Sequence, residues 1–491
     1  SCNATFAIII ARLANLSFNQ STFPQKFKTA QVTPLLKKRG LDACDPSSFR
    51  PISNLNTIGK VLERLVLARI IPFVSASPSF DPVQSAYRKC HSTETALLKI
   101  TDDIFAGFDN HQSTILVALD QSAAFDCIDH DTLIQRLNRT FGVTGKALGW
   151  LKSYIETRST FVRWKQISSD ISPLESGVPQ GSALGPLLFS LYIAPLSCVF
   201  RSFGINHHQY ADDAQIYIAV RRSELSDKVE QLENCIASVH SWLQQNGLQL
   251  NPSKSEVIQF TACRGQDRVD DVTSLLVSQA DIQPSDIIKS LGVTLDRQLT
   301  FDQHVTTVCR ASYFHIRALR HVRESLPDNI VRTVACSIVW SRLDYCNSLY
   351  AGMTKQNFIR LQRVQNTLAR VVLRRRKFDH ITPALTELHW LPVQHRVTYK
   401  LATLAFRIIT SNQPAYLREL LVDYKPPRTL RSSDKHFLVE NKTALVIGSR
   451  GFRHSAAAIW NNLPDNIRDP NLSLDSFKCK LKTHLFKSLT A

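Results

Sequence analysis

His208-Gln-Tyr-Ala-Asp-Asp213-Ala-Gln-Ile-Tyr-Ile-Ala-Val220 is the stretch on which the fold turns. Its second half is rich in β-branched and aromatic residues, and its middle holds the turn-forming pair Asp212-Asp213. It reads as a hairpin over 208–220: a short strand, a tight turn, a longer strand. Upstream, Thr114-Ile-Leu-Val-Ala-Leu119 is a run of strand length that stops at Asp120. A strand apolar on both faces belongs in the middle of a sheet. One carboxylate at the end of a central strand and two in a neighbouring hairpin turn can meet above one sheet edge. Two Mg²⁺ ions roughly 3.5–4 Å apart need hard oxygen ligands placed in that way. Phosphoryl transfer asks little of a protein beyond position and charge, so Asp120, Asp212 and Asp213 would suffice. Taken singly, each aspartate reads equally well as an ordinary strand-end or turn residue.

Working outward, apolar residues at three- and four-residue spacing predict helices over 58–73 and 93–108. A further helix over 223–246 stops at Gly247. Beyond about residue 300 the pattern is almost wholly helical: 302–325, 329–345, 357–377 and 394–411. A strand over 437–446 and helices over 455–462 and 474–489 complete the chain. The fold class is therefore α+β, turning α-rich towards the C-terminus. The apolar segment 4–18, interrupted by Arg12 and Asn15, reads as a buried helix rather than a signal peptide. No apolar stretch approaches the roughly 20 residues of a membrane span, so no membrane is expected. The first residue is Ser1 and the sole methionine is Met353, which points to a piece of a longer protein.

With 44% hydrophobic and 20% charged residues, the composition is that of a globular chain and excludes a disordered one. Eleven cysteines without a C-x-x-C pair argue for reduced thiols inside a cell, against a disulfide framework and against a zinc ribbon. The net charge of +18 is not evenly spread: residues 301–491 carry 30 Lys and Arg against 13 Asp and Glu, while the first 300 are nearly balanced. A basic region of this kind suits a polyanion, nucleic acid above all; solubility alone is the competing explanation.

Three motifs together resemble the reverse transcriptases of LINE-type (non-LTR) retrotransposons. They are Leu119-Asp120-Gln-Ser-Ala-Ala-Phe125-Asp126, Ser176-Gly-Val-Pro-Gln180-Gly181-Ser-Ala-Leu-Gly-Pro186-Leu-Leu-Phe189 and Tyr210-Ala-Asp-Asp213, with 92 positions from Asp120 to Asp212. The segments from Phe23-Pro24 to Lys37, Phe49-Arg50-Pro51-Ile52-Ser53 and Gln84-Ser-Ala-Tyr87-Arg88 are similar to the finger motifs of these enzymes. Arg342-Leu-Asp-Tyr-Cys-Asn347 and Leu388-His-Trp390-Leu-Pro392-Val393 resemble the C-terminal region of the jockey and chicken-repeat branch. The resemblance covers nearly the whole chain.

It implies a right-hand polymerase: fingers and palm over 1–290, a helical thumb over 291–378, and a basic nucleic-acid-binding domain over 379–491. It implies catalysis and metal binding by Asp120, Asp212 and Asp213, with Lys254 acting on the leaving pyrophosphate. Arg50, Lys37, Phe125, Gln180 and Gly181 would bind the nucleotide, Phe125 by excluding a 2′-hydroxyl. Tyr87, Arg88 and Gly177 would face the template. On the bland reading Phe125 is a core residue, Gly177 and Gly181 shape an ordinary loop, and Lys37 and Lys254 are solvated. The run Arg374-Arg375-Arg376-Lys377 reads as the basic end of a helix, solvated, touching phosphate or serving nuclear targeting. The implied cofactor is a pair of Mg²⁺ ions, with Mn²⁺ as a substitute. The implied partners are an RNA template, a DNA primer or target and deoxynucleotides, in an intracellular ribonucleoprotein of cytoplasm and nucleus. The family places an endonuclease upstream of the polymerase, and Gln121 stands where this branch usually has an apolar residue. Two other readings remain: an RNA-binding scaffold without catalysis, and an intron-maturase-like enzyme.

Overall fold

The computed structural model describes residues 2–38, 40–122, 125–262, 271–425, 436–440 and 442–490. At its centre lies a four-stranded antiparallel sheet in the order Glu256–Phe260, Ser113–Leu119, Asp213–Val220, Asn206–Tyr210. The 113–119 strand is interior, as its apolar run requires. Its side chains alternate between two cores. Ile115, Val117 and Leu119 enter one with the helices Gly185–Ile193 and Leu225–Gln245, whereas Leu116 enters the other with the helix Thr93–Asp109. Both faces are dry, which is why the sequence shows no polar alternation there.

A second sheet flanks this one: Thr29–Leu36 pairs antiparallel with Phe49–Asn54 and parallel with Ser159–Trp164. The helix Thr57–Ser75 joins it to the remainder of the N-terminal half, its N-cap Asn56 accepting from the amides of Ile58 and Gly59. Beyond residue 300, the helices Asp302–Val322, Lys355–Val372, Val393–Ser411, Phe452–Asn461 and Leu474–Thr490 share one apolar core with the 93–109 helix. The C-terminal half therefore packs against the 93–109 helix, which lies on the central sheet.

Four expectations need correction. The N-terminal helix forms, over Cys2–Asn19, but it is not buried: Phe6 is 56% exposed and Ile9 57%, while Ala14 and Ser17 are the buried side chains. Its apolar residues surround the axis, and one stripe alone faces the helix Gly145–Ile155. The helix expected over 357–377 ends at Val372; Arg374 adopts a left-handed φ of 53°, so the basic run lies beyond the helix instead of ending it. The strand expected over 437–446 is reduced to one bridge, Leu438 to Asp423, before a turn into the short helix Gly448–Arg450; residue 441 lies outside the described residues. Finally, Gly185–Ser202 is long and apolar enough to cross a membrane by composition, with a mean hydropathy of 1.2. Two thirds of it is buried in the protein core, which accounts for that apolarity.

The helix expected over 329–345 is interrupted by a π turn at Cys336–Trp340. The nine cysteines whose side chains are described are all free.

Candidate active site

Leu119 pairs with Ala214, and Tyr210 with Asp213, so Asp120 leaves its strand beside the hairpin turn that carries Asp212 and Asp213. The turn is tight: Ala211 takes a left-handed φ of 58° without being glycine, at a cost of about 1 kcal/mol. A neighbouring loop holds it in place. Gln84 Oε1 accepts from the amides of Ala211 (3.4 Å) and Ala86 (2.9 Å), and the Ser85 amide donates to the Gln209 carbonyl at 2.9 Å. Nothing in the sequence marks Gln84 for this duty beyond its place in the Gln84–Arg88 motif.

Two of the three carboxylates are raised by their surroundings. Burial, then the charges of Asp212 and Asp120, raises Asp213 to about 6. Burial and Asp120 also raise Asp212, against the opposing pull of Arg50. Asp120 Oδ2 is buried without a hydrogen-bond partner, and the Lys254 ammonium stands 3.6 Å from it. A buried carboxylate oxygen with no hydrogen bond, facing two like charges and a single ammonium, is a good arrangement for a hard cation. Among the described residues, no three His, Cys, Asp or Glu side chains are gathered closely enough to enclose an ion by themselves.

The raised pKa of Asp213 has a stability consequence. Between pH of about 4 and 6 the folded protein holds a proton that the unfolded chain has released, so stability falls as pH rises through that window. Asp213→Asn should then stabilise the metal-free protein at pH 7.5 and not at pH 4. Neighbouring protein desolvates the Asp213 carboxyl only in part, since the residue as a whole is exposed, and solvent screening limits the gain to about 1 kcal/mol. Urea unfolding at the two pH values checks this; an equal effect at both would remove the electrostatic account.

A second group of residues adjoins the first. The Gly177 amide donates to the Ile128 carbonyl at 2.7 Å and that of Val178 to the Phe125 carbonyl at 2.9 Å, laying the 176–181 loop along the segment after Asp120. The Gln180 carbonyl accepts from the Ser53 amide at 2.8 Å, on the strand that also carries Arg50. Its side chain donates to Asp126 Oδ2 at 3.0 Å. The Phe125 ring is half-buried and stacks on Phe189, centroids 4.7 Å apart and planes at 23°. The helix behind the loop is anchored by Glu63, whose Oε2 accepts from the Leu184 amide at 3.0 Å. Burial raises the Glu63 carboxyl, and these amide bonds pull it back. Sequence reading missed Glu63; its signal is a charge on the buried Gly59, Leu62, Ile70, Val74 stripe of its helix.

Lys254 is held beside Asp120 because the Asn251 amide donates to the Asp120 carbonyl at 2.9 Å and Leu250 pairs with Gln121. Tyr87, 56% exposed with a φ of 60°, lies near the turn: after burial, Asp212 and Tyr210 raise its phenol. The other two candidates stand apart. The Lys37 ammonium donates to the Ser47 carbonyl at 2.9 Å on the far end of its strand pair, and Arg39 lies outside the described residues. Arg88 is turned inward, donating to the carbonyls of Asp81 (3.0 Å) and Gln84 (2.9 Å) with its guanidinium over the Phe80 ring. It holds the loop that holds the hairpin.

A model of the family reverse transcriptase (RNA-dependent DNA polymerase) matches residues 36–295. The chain is 28% identical over 392 residues to the probable RNA-directed DNA polymerase from transposon BS of Drosophila melanogaster, covering 76% of this chain and 42% of that protein. It is 26% identical over 307 residues to the RNA-directed DNA polymerase from mobile element jockey of the same species, covering 62% and 32%. Among solved structures, telomerase from Candida tropicalis in complex with a fragment of telomeric RNA aligns with a TM-score of 0.40 at 11% identity, over 74% of this chain and 64% of that one. The chain spans about two fifths or less of the length of these curated relatives. Matched over more than half its length by the family model, and similar to the polymerases of jockey-like mobile elements, the chain belongs to the reverse transcriptase (RNA-dependent DNA polymerase) family.

Proposed function

We propose that this chain is the RNA-directed DNA polymerase of a non-LTR retrotransposon, adding deoxynucleotides to a primer 3′-end. The observation that carries the reading is the strand register, which brings Asp120 at the end of a central strand beside the hairpin turn that holds Asp212 and Asp213. A scaffold without catalysis would be free to lose these residues, and all three are present. Reverse transcriptases generally depend on divalent metal ions. Here the three aspartates would hold two Mg²⁺ (Mn²⁺ as a substitute), which when bound activate the primer hydroxyl and neutralise the triphosphate.

The remaining work falls to the chain itself. Arg50, exposed and close enough to act on Asp212, places a planar, bidentate cation where the triphosphate would enter. Lys254, kept beside Asp120, is positioned to hand a proton to the departing pyrophosphate. Lys37 would reach a phosphate only by leaving the Ser47 carbonyl. Gln180, clamped between Ser53 and Asp126, forms a wall of the nucleotide site with Gly181. Tyr87 offers an exposed ring to the template, with Gly177 in the loop opposite and Arg88 supporting it from behind.

Phe189 stacks behind the Phe125 ring and restrains it, which supports the ring as a steric barrier to a ribose 2′-hydroxyl. Phe125→Val should raise ribonucleotide incorporation about a hundredfold relative to deoxynucleotides, since a fixed steric exclusion is worth about 1–3 kcal/mol. Competition assays on one primer measure it, and unchanged discrimination would assign Phe125 to the core.

We divide the protein into fingers and palm (1–290), thumb (291–378) and a basic C-terminal domain (379–491) that grips the duplex and the element's RNA through phosphate. An upstream endonuclease in the full-length protein and residence in cytoplasm and nucleus complete the proposal. The test is primer extension on matched RNA and DNA templates, with and without Mg²⁺. Extension on RNA that requires the ion supports it; none on either template refutes it.

A further inference from the structure

The hairpin turn that carries Asp212 and Asp213 leans on the 83–86 segment, and that segment leans on the C-terminal half. The Ser85 amide donates to the Gln209 carbonyl at 2.9 Å, and the Gln209 amide to the Val83 carbonyl at 3.2 Å. The Ser85 hydroxyl lies 2.8 Å from His208 Nε2, on the strand that leads into the turn, and 2.8 Å from the Tyr416 hydroxyl. Tyr416 stands on the short helix Ala415–Arg418, well beyond the residues 36–295 that the family model matches. Its hydroxyl donates in turn to Thr95 Oγ1 at 3.0 Å. Ser85, Thr95, His208 and Tyr416 are all 3% exposed or less.

Each hydroxyl has one proton to give, which fixes the direction of every bond in this line. Thr95 Oγ1 donates to the Ser92 carbonyl at 2.9 Å, so towards Tyr416 it can only accept. The Tyr416 proton is thereby used, so Ser85 donates to Tyr416 and His208 Nε2 donates to Ser85. Burial lowers the His208 imidazole to about 3, so the ring is neutral, with its proton on Nε2. Nδ1 is accordingly the ring nitrogen left buried without a partner. Bonds that run one way from His208 to the Ser92 carbonyl polarise and reinforce one another. The Tyr416 ring completes the fit, edge-on to the His208 ring with centroids 5.0 Å apart and planes at 89°.

We propose that Tyr416 is a positioning residue for the catalytic turn, holding Asp212 and Asp213 in place through Ser85 and His208. The C-terminal half then does more than grip nucleic acid: it sets where the carboxylates stand. The role rests on the polymerase reading; the hydrogen-bonded link does not. A neighbouring contact between the same two parts of the chain supplies a control. Ser348 Oγ donates to Glu94 Oε1 at 2.7 Å, and the Lys400 ammonium is 3.0 Å from Glu94 Oε2. Both bonds join the C-terminal half to the 93–109 helix one residue before Thr95, without passing through Ser85 or His208.

The test compares Tyr416→Phe with Ser348→Ala in the full chain. Each removes one hydroxyl from a buried contact between the same two parts, so a purely structural role would move both alike. Tyr416→Phe should lower kcat for primer extension about tenfold, with KM for deoxynucleotides and affinity for primer–template within about twofold of wild type. Ser348→Ala should keep kcat within about twofold of wild type. Mn²⁺ titration followed by electron paramagnetic resonance reads the carboxylates without turnover. Mn²⁺ affinity should fall about tenfold in Tyr416→Phe and hold in Ser348→Ala. Ser85→Ala cuts the same line and should match Tyr416→Phe, with the double variant no worse than either. Wild-type kcat and Mn²⁺ affinity in Tyr416→Phe, or equal losses in Tyr416→Phe and Ser348→Ala, overturn the proposal. If Tyr416→Phe fails to fold, Ser85→Ala decides by the same two readings. A wild type that binds Mn²⁺, and binds it less tightly after Tyr416→Phe, yet extends no primer would defeat the polymerase reading and leave the link standing.

Discussion

Asp212→Ala is expected to lower primer extension on the order of a thousandfold, with RNA binding unchanged. Losing a carboxylate that holds catalytic cations removes several kcal/mol of charge stabilisation from the transition state, and each 1.4 kcal/mol is about a factor of ten. Asp120→Ala should fall equally far. The double variant should be little worse than either, because residues acting as one unit do not contribute additively. Folding should survive: burial and the charge of Asp120 push Asp212 up, and the charge of Asp212 helps push Asp213 up, so removing Asp212 relieves repulsion in the metal-free protein. A variant that loses activity and melts far below wild type would mean that Asp212 serves the fold. A variant that still extends primers would refute the assignment outright.

The second large effect lies in backbone. Gly181 has a φ of 115°, and a Cβ there would sit 2.8 Å from the Ser53 carbonyl oxygen. Gly177, with a φ of 82°, would place its Cβ 2.7 Å from that of Asp126. Neither obstacle is a flexible side chain, so the loop or the strand must move. Gly181→Ala should therefore displace the loop that carries Gln180 from the strand that carries Arg50. We expect about a hundredfold loss of extension and about 1–3 kcal/mol of stability from the forced backbone. Gly149, where a Cβ would meet only the Ser21 side chain at 3.3 Å, is the control, and Gly149→Ala should stay close to wild type. Equal activity in Gly181→Ala and Gly149→Ala would show that the close approach to Ser53 does not matter.

Much of this was legible beforehand, for identifiable reasons. The central strand and the hairpin announce themselves because dry faces force runs such as Thr114–Leu119, and turns select residues such as Asp212. The site aspartates followed from where those elements end. The supports were hidden: Gln84 beneath Ala211, Glu63 under Leu184 and Phe189 behind Phe125 are set by contacts between distant segments, which no local pattern reports. The same limit explains Arg88 and Lys37, whose charge suggested ligands but whose partners are backbone carbonyls of their own loops. The Cys2–Asn19 helix misled for a different reason. Apolarity fixes what a segment would prefer to bury, not whether a partner surface is there.

Manganese anomalous diffraction from the protein with a primer–template and a non-hydrolysable deoxynucleotide would test the central claim most directly. The account predicts ions within about 2.0–2.3 Å of carboxylate oxygens from both Asp120 and the Asp212–Asp213 turn, bridged to the triphosphate. Ions bound elsewhere, with Asp120 still facing Lys254 alone, would contradict it.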